Sequence, residues 1–285
     1  MEAVSATFTE SLRVYIQGFG LFVALWALFI FPLSIVQVLF FPKTAIPVSQ
    51  GMVIKASQVQ MVGIQLVTAL VTLGLTLATV VAVEELRRRH LPRIGGVYLA
   101  AVRRYLPTLV TSLGLGVVAA LPGIALVWGS VLISNALPAL QAAMSILGLL
   151  LLLFSFIVAV PMMVLLPPMI WNEGRWWWQG AQRVRRLLRR RWGMAWLTLL
   201  MGMAAMLVAY GAGTILTLVL TGMFAGGNPN GVLSSRSGLA FFAVFGTLLE
   251  VLVQPFFSVL TVVLYHRMVD TEMEEGPVAT GGGPG

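Results

Sequence analysis

The residue best placed to do chemistry is Glu250, a carboxylate in the middle of the apolar stretch Gly238 to Tyr265. Hydrocarbon solvates charge poorly, so an ionisable group at such a depth is rare and marks a functional site by default. Gly246, Glu250, Gln254 and Ser258 recur every four residues, which places them on one face of a helix. Pro255 frees a backbone carbonyl on the preceding turn. A proton, a cation or a polar headgroup could be held there. A second polar row, Gln65, Thr68, Thr72, Thr76 and Thr79, and a third, Tyr210, Thr214, Thr217 and Thr221, would complete a polar conduit around Glu250. The alternative is structural: a neutral Glu250 hydrogen-bonded to a neighbouring helix, with the threonine rows and the small residues Ser112, Gly116, Ala120, Ala205, Ala209 and Gly213 serving close helix packing.

Cations with aromatic anchors are the other chemistry on offer. Trp176, Trp177 and Trp178 precede Arg183, Arg186 and Arg190, and an earlier loop carries Arg103 and Arg104. Indoles settle at headgroup depth and guanidinium groups pair with phosphates, so these residues are candidates for anionic phospholipid contact. Topological anchoring alone needs the same residues. Catalytic patterns are missing: there is no Walker loop, HExxH or GxSxG, and the two histidines, His90 and His266, both stand beside arginines. No metal or cofactor is expected. Cysteine is absent, which removes disulfides, thiolate metal sites and Cys nucleophiles.

The elements that must position these groups are set by composition. Of 285 residues 59% are hydrophobic and 10% charged, against about a quarter charged in a soluble domain. Six runs reach the roughly 20 apolar residues that span a bilayer: Gly18 to Phe41, Val59 to Val83, Leu106 to Ala136, Ala139 to Trp171, Gly193 to Phe224 and Gly238 to Tyr265. The first follows Arg13 as a secretory signal would, but it is longer than a signal core and reads as a retained span. Fifteen of the 18 basic residues fall at Arg13, in Arg87 to Arg104, in Arg175 to Arg191 and at Arg267. By the positive-inside rule these share the cytoplasmic side, and both termini with them. The net charge of +8 thus reports local clusters, and nucleic acid is not an expected partner.

Before spans one, three and five the same spacing recurs. Phe8, Leu12, Tyr15 and Phe19 fall at i, i+4, i+7 and i+11, as do Ile94, Tyr98, Ala101 and Tyr105, and Trp177, Ala181, Val184 and Leu188. Each set makes an apolar helical stripe, which predicts a threefold unit of one interfacial helix and one hairpin. The expected fold is an all-α polytopic transmembrane bundle: one domain over residues 1–269, then a disordered cytoplasmic tail over 270–285, acidic at Asp270, Glu272, Glu274 and Glu275.

Two patches carry a family resemblance. Glu173 to Trp192, a Glu-Gly start leading into an Ala- and Arg-containing helix and a Trp-bearing span, resembles a connector of bacterial six-span proteins. These are related to the membrane domain fused to some glycerophosphodiester phosphodiesterases. Pro255 through Leu264 and Tyr265 is similar to that family's last span, although the acidic and basic residues that follow its Tyr are displaced here. The resemblance implies a helical bundle in a bacterial inner membrane with an accessory role, and no catalytic residue. The expected function is a non-enzymatic accessory or scaffold protein contacting anionic lipid, a membrane-protein partner or a second copy of itself. A small transporter or channel subunit built on Glu250 is the alternative. A lipid-acting enzyme would need a carboxylate or His cluster at one depth, which the sequence does not show.

Overall fold

The computed structural model describes residues 2–40, 53–90, 92–132, 138–224 and 236–274. Among them eight helices and no strands occur: α1 (Glu2–Gln17), α2 (Phe19–Phe40), α3 (Val53–Arg87), α4 (Ile94–Leu132), α5 (Pro138–Glu173), α6 (Trp177–Leu188), α7 (Trp192–Phe224) and α8 (Arg236–Glu274). Helices α3, α4, α5, α7 and α8 are long and apolar enough to cross a membrane, and α1 with α2 counts as a sixth if that bent pair is one span. The chain has the helices of a multi-pass membrane protein. Lys43, residues 225–235 of the expected outer turn and residues 275–285 of the expected tail lie outside the described residues. The acidic segment is helical as far as Glu274.

The connectors expected to be amphipathic are helical in all three places but differ in form. α1 meets α2 at an angle of 75°, with Gly18 at the corner. A Cβ at Gly18 would sit 2.5 Å from the Phe22 ring and 2.9 Å from Leu86. α6 is separated from α7 by a turn at Arg189 to Arg191. In the middle connector nothing breaks the chain, and α4 runs on from Ile94 as one helix of 39 residues. The stripe expected on α1 is only partly buried. Tyr15 is buried, whereas Leu12 and Phe19 are exposed, and the inward row is Val4, Thr7, Ser11 and Tyr15. Lipid solvates Leu and Ile as well as a protein core does, so the inward face goes to residues that pack closely or hydrogen-bond.

Two compact units divide the chain. One comprises Phe8–Val102 and Leu200–Leu260. Here Trp26 donates its Nε1–H to Thr79 Oγ1 at 3.0 Å, both side chains fully buried. Tyr98 donates its hydroxyl to the Leu25 carbonyl, with its ring 5.0 Å from Phe29. Tyr15 donates to the Leu252 carbonyl, in the turn that Pro255 loosens, and lies edge-on to Phe256 at 5.7 Å. The hydroxyls of Ser34 and Thr247 also pair. Gly202 and Gly213 of α7 leave room for Leu260 and Leu249 of α8.

The other unit comprises Met1–Thr7, Arg103–Leu199 and Thr261–Gly285. Its α4 and α5 cross backbone to backbone. A Cβ at Gly123 would be 2.9 Å from the Gly148 carbonyl oxygen, and one at Gly148 would be 3.0 Å from that of Gly123. Next to this crossing Ser145 donates to Ser130 at 2.8 Å. Outward, the same helices expose Leu121, Trp128, Leu149 and Phe154, the surface that lipid covers. Replacing Gly123 by Leu should open this crossing and lower stability by about 1–3 kcal/mol, the cost of overpacking, seen as an earlier thermal midpoint in detergent. Gly211→Ala, at a position where a Cβ meets no atom within 4 Å, should leave the midpoint unchanged or slightly raised.

Candidate interfacial polar site

Polar chemistry concentrates where α5, α6 and α8 end or begin in the second of these units. Gly174 ends α5. At φ +66° it occupies the left-handed region where a Cβ is strained, and its N–H returns to the Ile170 carbonyl at 3.1 Å. The chain then reverses into α6, so Glu173 comes to face Arg183, ten residues on. Arg183 Nε donates to both Glu173 carboxylate oxygens at 2.9 and 3.0 Å. Its Nη atoms reach Glu272 on α8 at 2.8 and 2.7 Å. Tyr265, buried on α8, donates its hydroxyl to Glu173 Oε1 at 3.0 Å, and Arg175 Nε stands 3.6 Å from Glu173 Oε2. The bond to Glu272, with the neighbouring Glu173, raises the Arg183 pKa beyond the ordinary guanidinium value. Two carboxylates and two guanidinium groups neutralise one another here, and the Arg183 side chain is only 15% exposed.

α6 has no side-chain cap of its own. Thr111 of α4 takes that role, accepting the Trp177 N–H at 2.8 Å while donating its hydroxyl to the Pro107 carbonyl at 2.7 Å. Trp177 holds φ +55°, a left-handed conformation that costs a bulky residue on the order of 1–3 kcal/mol. Its ring lies on Gly114, where a Cβ would meet it at 2.8 Å. Beside it is a cleft of about 140 Å³ lined by Thr111, Gly114, Leu115, Val118, Trp177, Trp178 and Ala181. The guanidinium of Arg104 lies over the Gly174 turn, 3.6 Å from where a Cβ would stand. The buried side of α6 is Gly180, Ala181, Val184, Leu187 and Leu188, which leaves Arg185, Arg186, Arg189 and Arg190 exposed in a row.

The sequence-derived candidates therefore separate. Arg186 and Arg190 are exposed, as is Arg103, while Arg104 is half-buried. Trp177 is 54% exposed, and Arg183 is committed to carboxylates of its own chain. Glu250 is half-buried on α8 in the other unit, within electrostatic reach of Tyr210, whose side chain shares a hydrogen bond with Gln254. Ser258 is buried. Gln65 stands exposed, and Thr72 offers its carbonyl to Thr76. Thr76, Thr79, Thr214 and Thr217 each donate to the carbonyl four residues back in their own helix. Such back-bonding satisfies their hydroxyls without a conduit.

Glu173, Tyr265 and Glu272 were not legible as a group. They stand 92 and 89 residues from their partners, and the spacing of Glu173 to Arg183 matches no helical contact because Gly174 breaks the helix between them. Glu84 is also buried, at 5% exposure, and the sequence reading did not single it out.

Glu173→Gln should cost about 2 kcal/mol, below the roughly 3–5 kcal/mol of a fully buried pair. Glu272→Gln, at a side chain 41% exposed, should cost less than about 1 kcal/mol. Thermal unfolding of both variants in detergent reads the order, and a larger loss for Glu272→Gln would contradict it. Compared with known proteins, the chain matches no protein-family model, no curated protein and no solved structure.

Proposed function

We propose that this is a non-enzymatic accessory or scaffold protein of a bacterial inner membrane, which gathers anionic phospholipid along basic interfacial helices facing the cytoplasm. The observation that carries the reading is the division of labour on α6 and the turn that follows it. Arg183 is neutralised by Glu173 and Glu272, the apolar side of the helix is buried, and Arg185, Arg186, Arg189 and Arg190 stand exposed in one row. A cation near an anionic bilayer surface contributes about 1 kcal/mol, so four in a row favour anionic headgroups over zwitterionic ones. The resemblance to the six-span membrane domain named above rests on its two sequence patches, Glu173 to Trp192 and Pro255 to Tyr265. That resemblance brings no hydrolase activity with it.

Lipid extracted with the protein in mild detergent should be enriched in anionic species over the host membrane. Replacing Arg185, Arg186, Arg189 and Arg190 together by Gln should return the composition to that of the bulk. Enrichment that survives the replacement would sink the reading.

The grouping of Glu250, Gln254 and Tyr210 favours a second reading, a small transporter or channel subunit. Under it, proteoliposomes loaded with a pH-sensitive dye show a proton flux that Glu250→Gln removes. Under the scaffold reading both proteins hold the gradient, and Glu250→Leu changes only the melting temperature.

A further inference from the structure

The cleft at the start of α6 has the form of a lipid site, and what it would hold follows from its walls. Both bonding directions of the Thr111 hydroxyl are used, one on Trp177 N–H and one on the Pro107 carbonyl. The rest of the lining is aliphatic or indole, so hydrocarbon is the occupant that leaves no polar group unsatisfied. A volume of about 140 Å³ compares with apolar cavities of about 150 Å³ that take a single benzene, which fits a few carbons of one chain. Its rim is open, with Val118 63% and Trp178 60% exposed.

A charge stands at one end of this slot. Arg104, Thr108, Thr111, Leu115 and Val118 follow at i, i+4, i+7, i+11 and i+14 on one face of α4. At about 1.5 Å per residue, Arg104 is about 16 Å along the axis from Leu115, close to half of the roughly 30 Å hydrocarbon thickness. Among the described residues Arg104 has no carboxylate partner, because the nearby Glu173 is taken by Arg183 and Arg175. Exposed Arg103 adds a second positive charge beside it.

Resting on the lipid-gathering reading and giving it one defined site, we infer that this unit binds a single anionic phospholipid, its phosphate on Arg104 and one acyl chain in the slot between Leu115, Val118, Trp177 and Trp178. The α6 arginines attract the headgroup population at large, while this site holds one molecule.

Native mass spectrometry of delipidated protein titrated with phosphatidylglycerol or with phosphatidylcholine of the same chains tests it. One phosphatidylglycerol should bind about tenfold more tightly than phosphatidylcholine. Arg104→Gln should erase that preference, and Leu115→Trp, which fills the slot, should weaken both lipids about tenfold. If Leu115→Trp folds poorly, Val118→Trp at the exposed rim serves instead, checked by an unchanged unfolding midpoint. Replacing Arg185, Arg186, Arg189 and Arg190 by Gln should leave this one lipid bound, which separates the slot from the broader lipid reading. Undiminished binding in a folded slot-filling variant, or a preference for phosphatidylglycerol that outlives Arg104→Gln, overturns the site.

Discussion

A guanidinium between two carboxylates organises the basic end of one unit of this protein. Arg183 reaches Glu173 at the end of α5 and Glu272 at the end of α8. Those bonds demand that the chain double back within three residues of Glu173. Gly174 supplies the left-handed turn, and Trp177 accepts the same unfavourable backbone region with its N–H held by Thr111. Once α6 is pinned in this way its apolar side packs back on α5, with Gly180 against Met169, and Arg185 and Arg186 are turned outward. Removing either carboxylate would leave Arg183 with a single counter-ion, and the loss is larger at Glu173, whose side chain is 19% exposed, than at Glu272, whose side chain is 41% exposed.

Solvent logic explains much of the rest. Helices in lipid gain little from burying leucine against leucine, so they associate where backbones come close or where polar groups find partners. The crossing at Gly123 and Gly148 with the Ser130 and Ser145 bond is one such contact, and the Trp26 bond to Thr79 is another. Tyr15 and Tyr98 each donate to a backbone carbonyl of another helix, which gives the hydroxyl a partner that hydrocarbon could not supply. The inward row of α1 follows the same rule. Thr7 and Ser11 point in while Leu12 and Ile16 point out, the reverse of what the hydropathy of a soluble helix would dictate.

Two carboxylate environments coexist at different depths. Glu250 has Tyr210 and Gln254 as neighbours, groups that can hydrogen-bond a carboxyl but bring no positive charge. Glu173 lies at the end of its helix among two arginines and a tyrosine. A charge at the interface can recruit counter-ions from flexible connectors, whereas one within a span depends on the helices beside it. That difference is why the interfacial cluster forms a defined electrostatic structure, and why chemistry at Glu250 would need a ligand or a proton to complete it.

How far the sequence carried the reading follows from the range of its signals. Apolar runs of about twenty residues, arginine clusters between them and the three- and four-residue spacing of α6 are local, and each survives in the helices found. The corner at Gly18 falls where the first span was expected to begin, but the uninterrupted α4 was not legible, because whether a connector bends depends on what packs at the corner, as Phe22 and Leu86 do at Gly18. Nor could spacing reveal which arginines are available to lipid. Arg183 and Arg186 look alike in sequence, and only the fold brings Glu173 and Glu272 to the first and leaves the second exposed. Composition and periodicity determined by themselves that the chain is a bundle of membrane helices with basic connectors. The partners of each charge, and so which cations remain to act, were decided by tertiary contacts between residues some ninety positions apart, a distance over which no periodicity carries information.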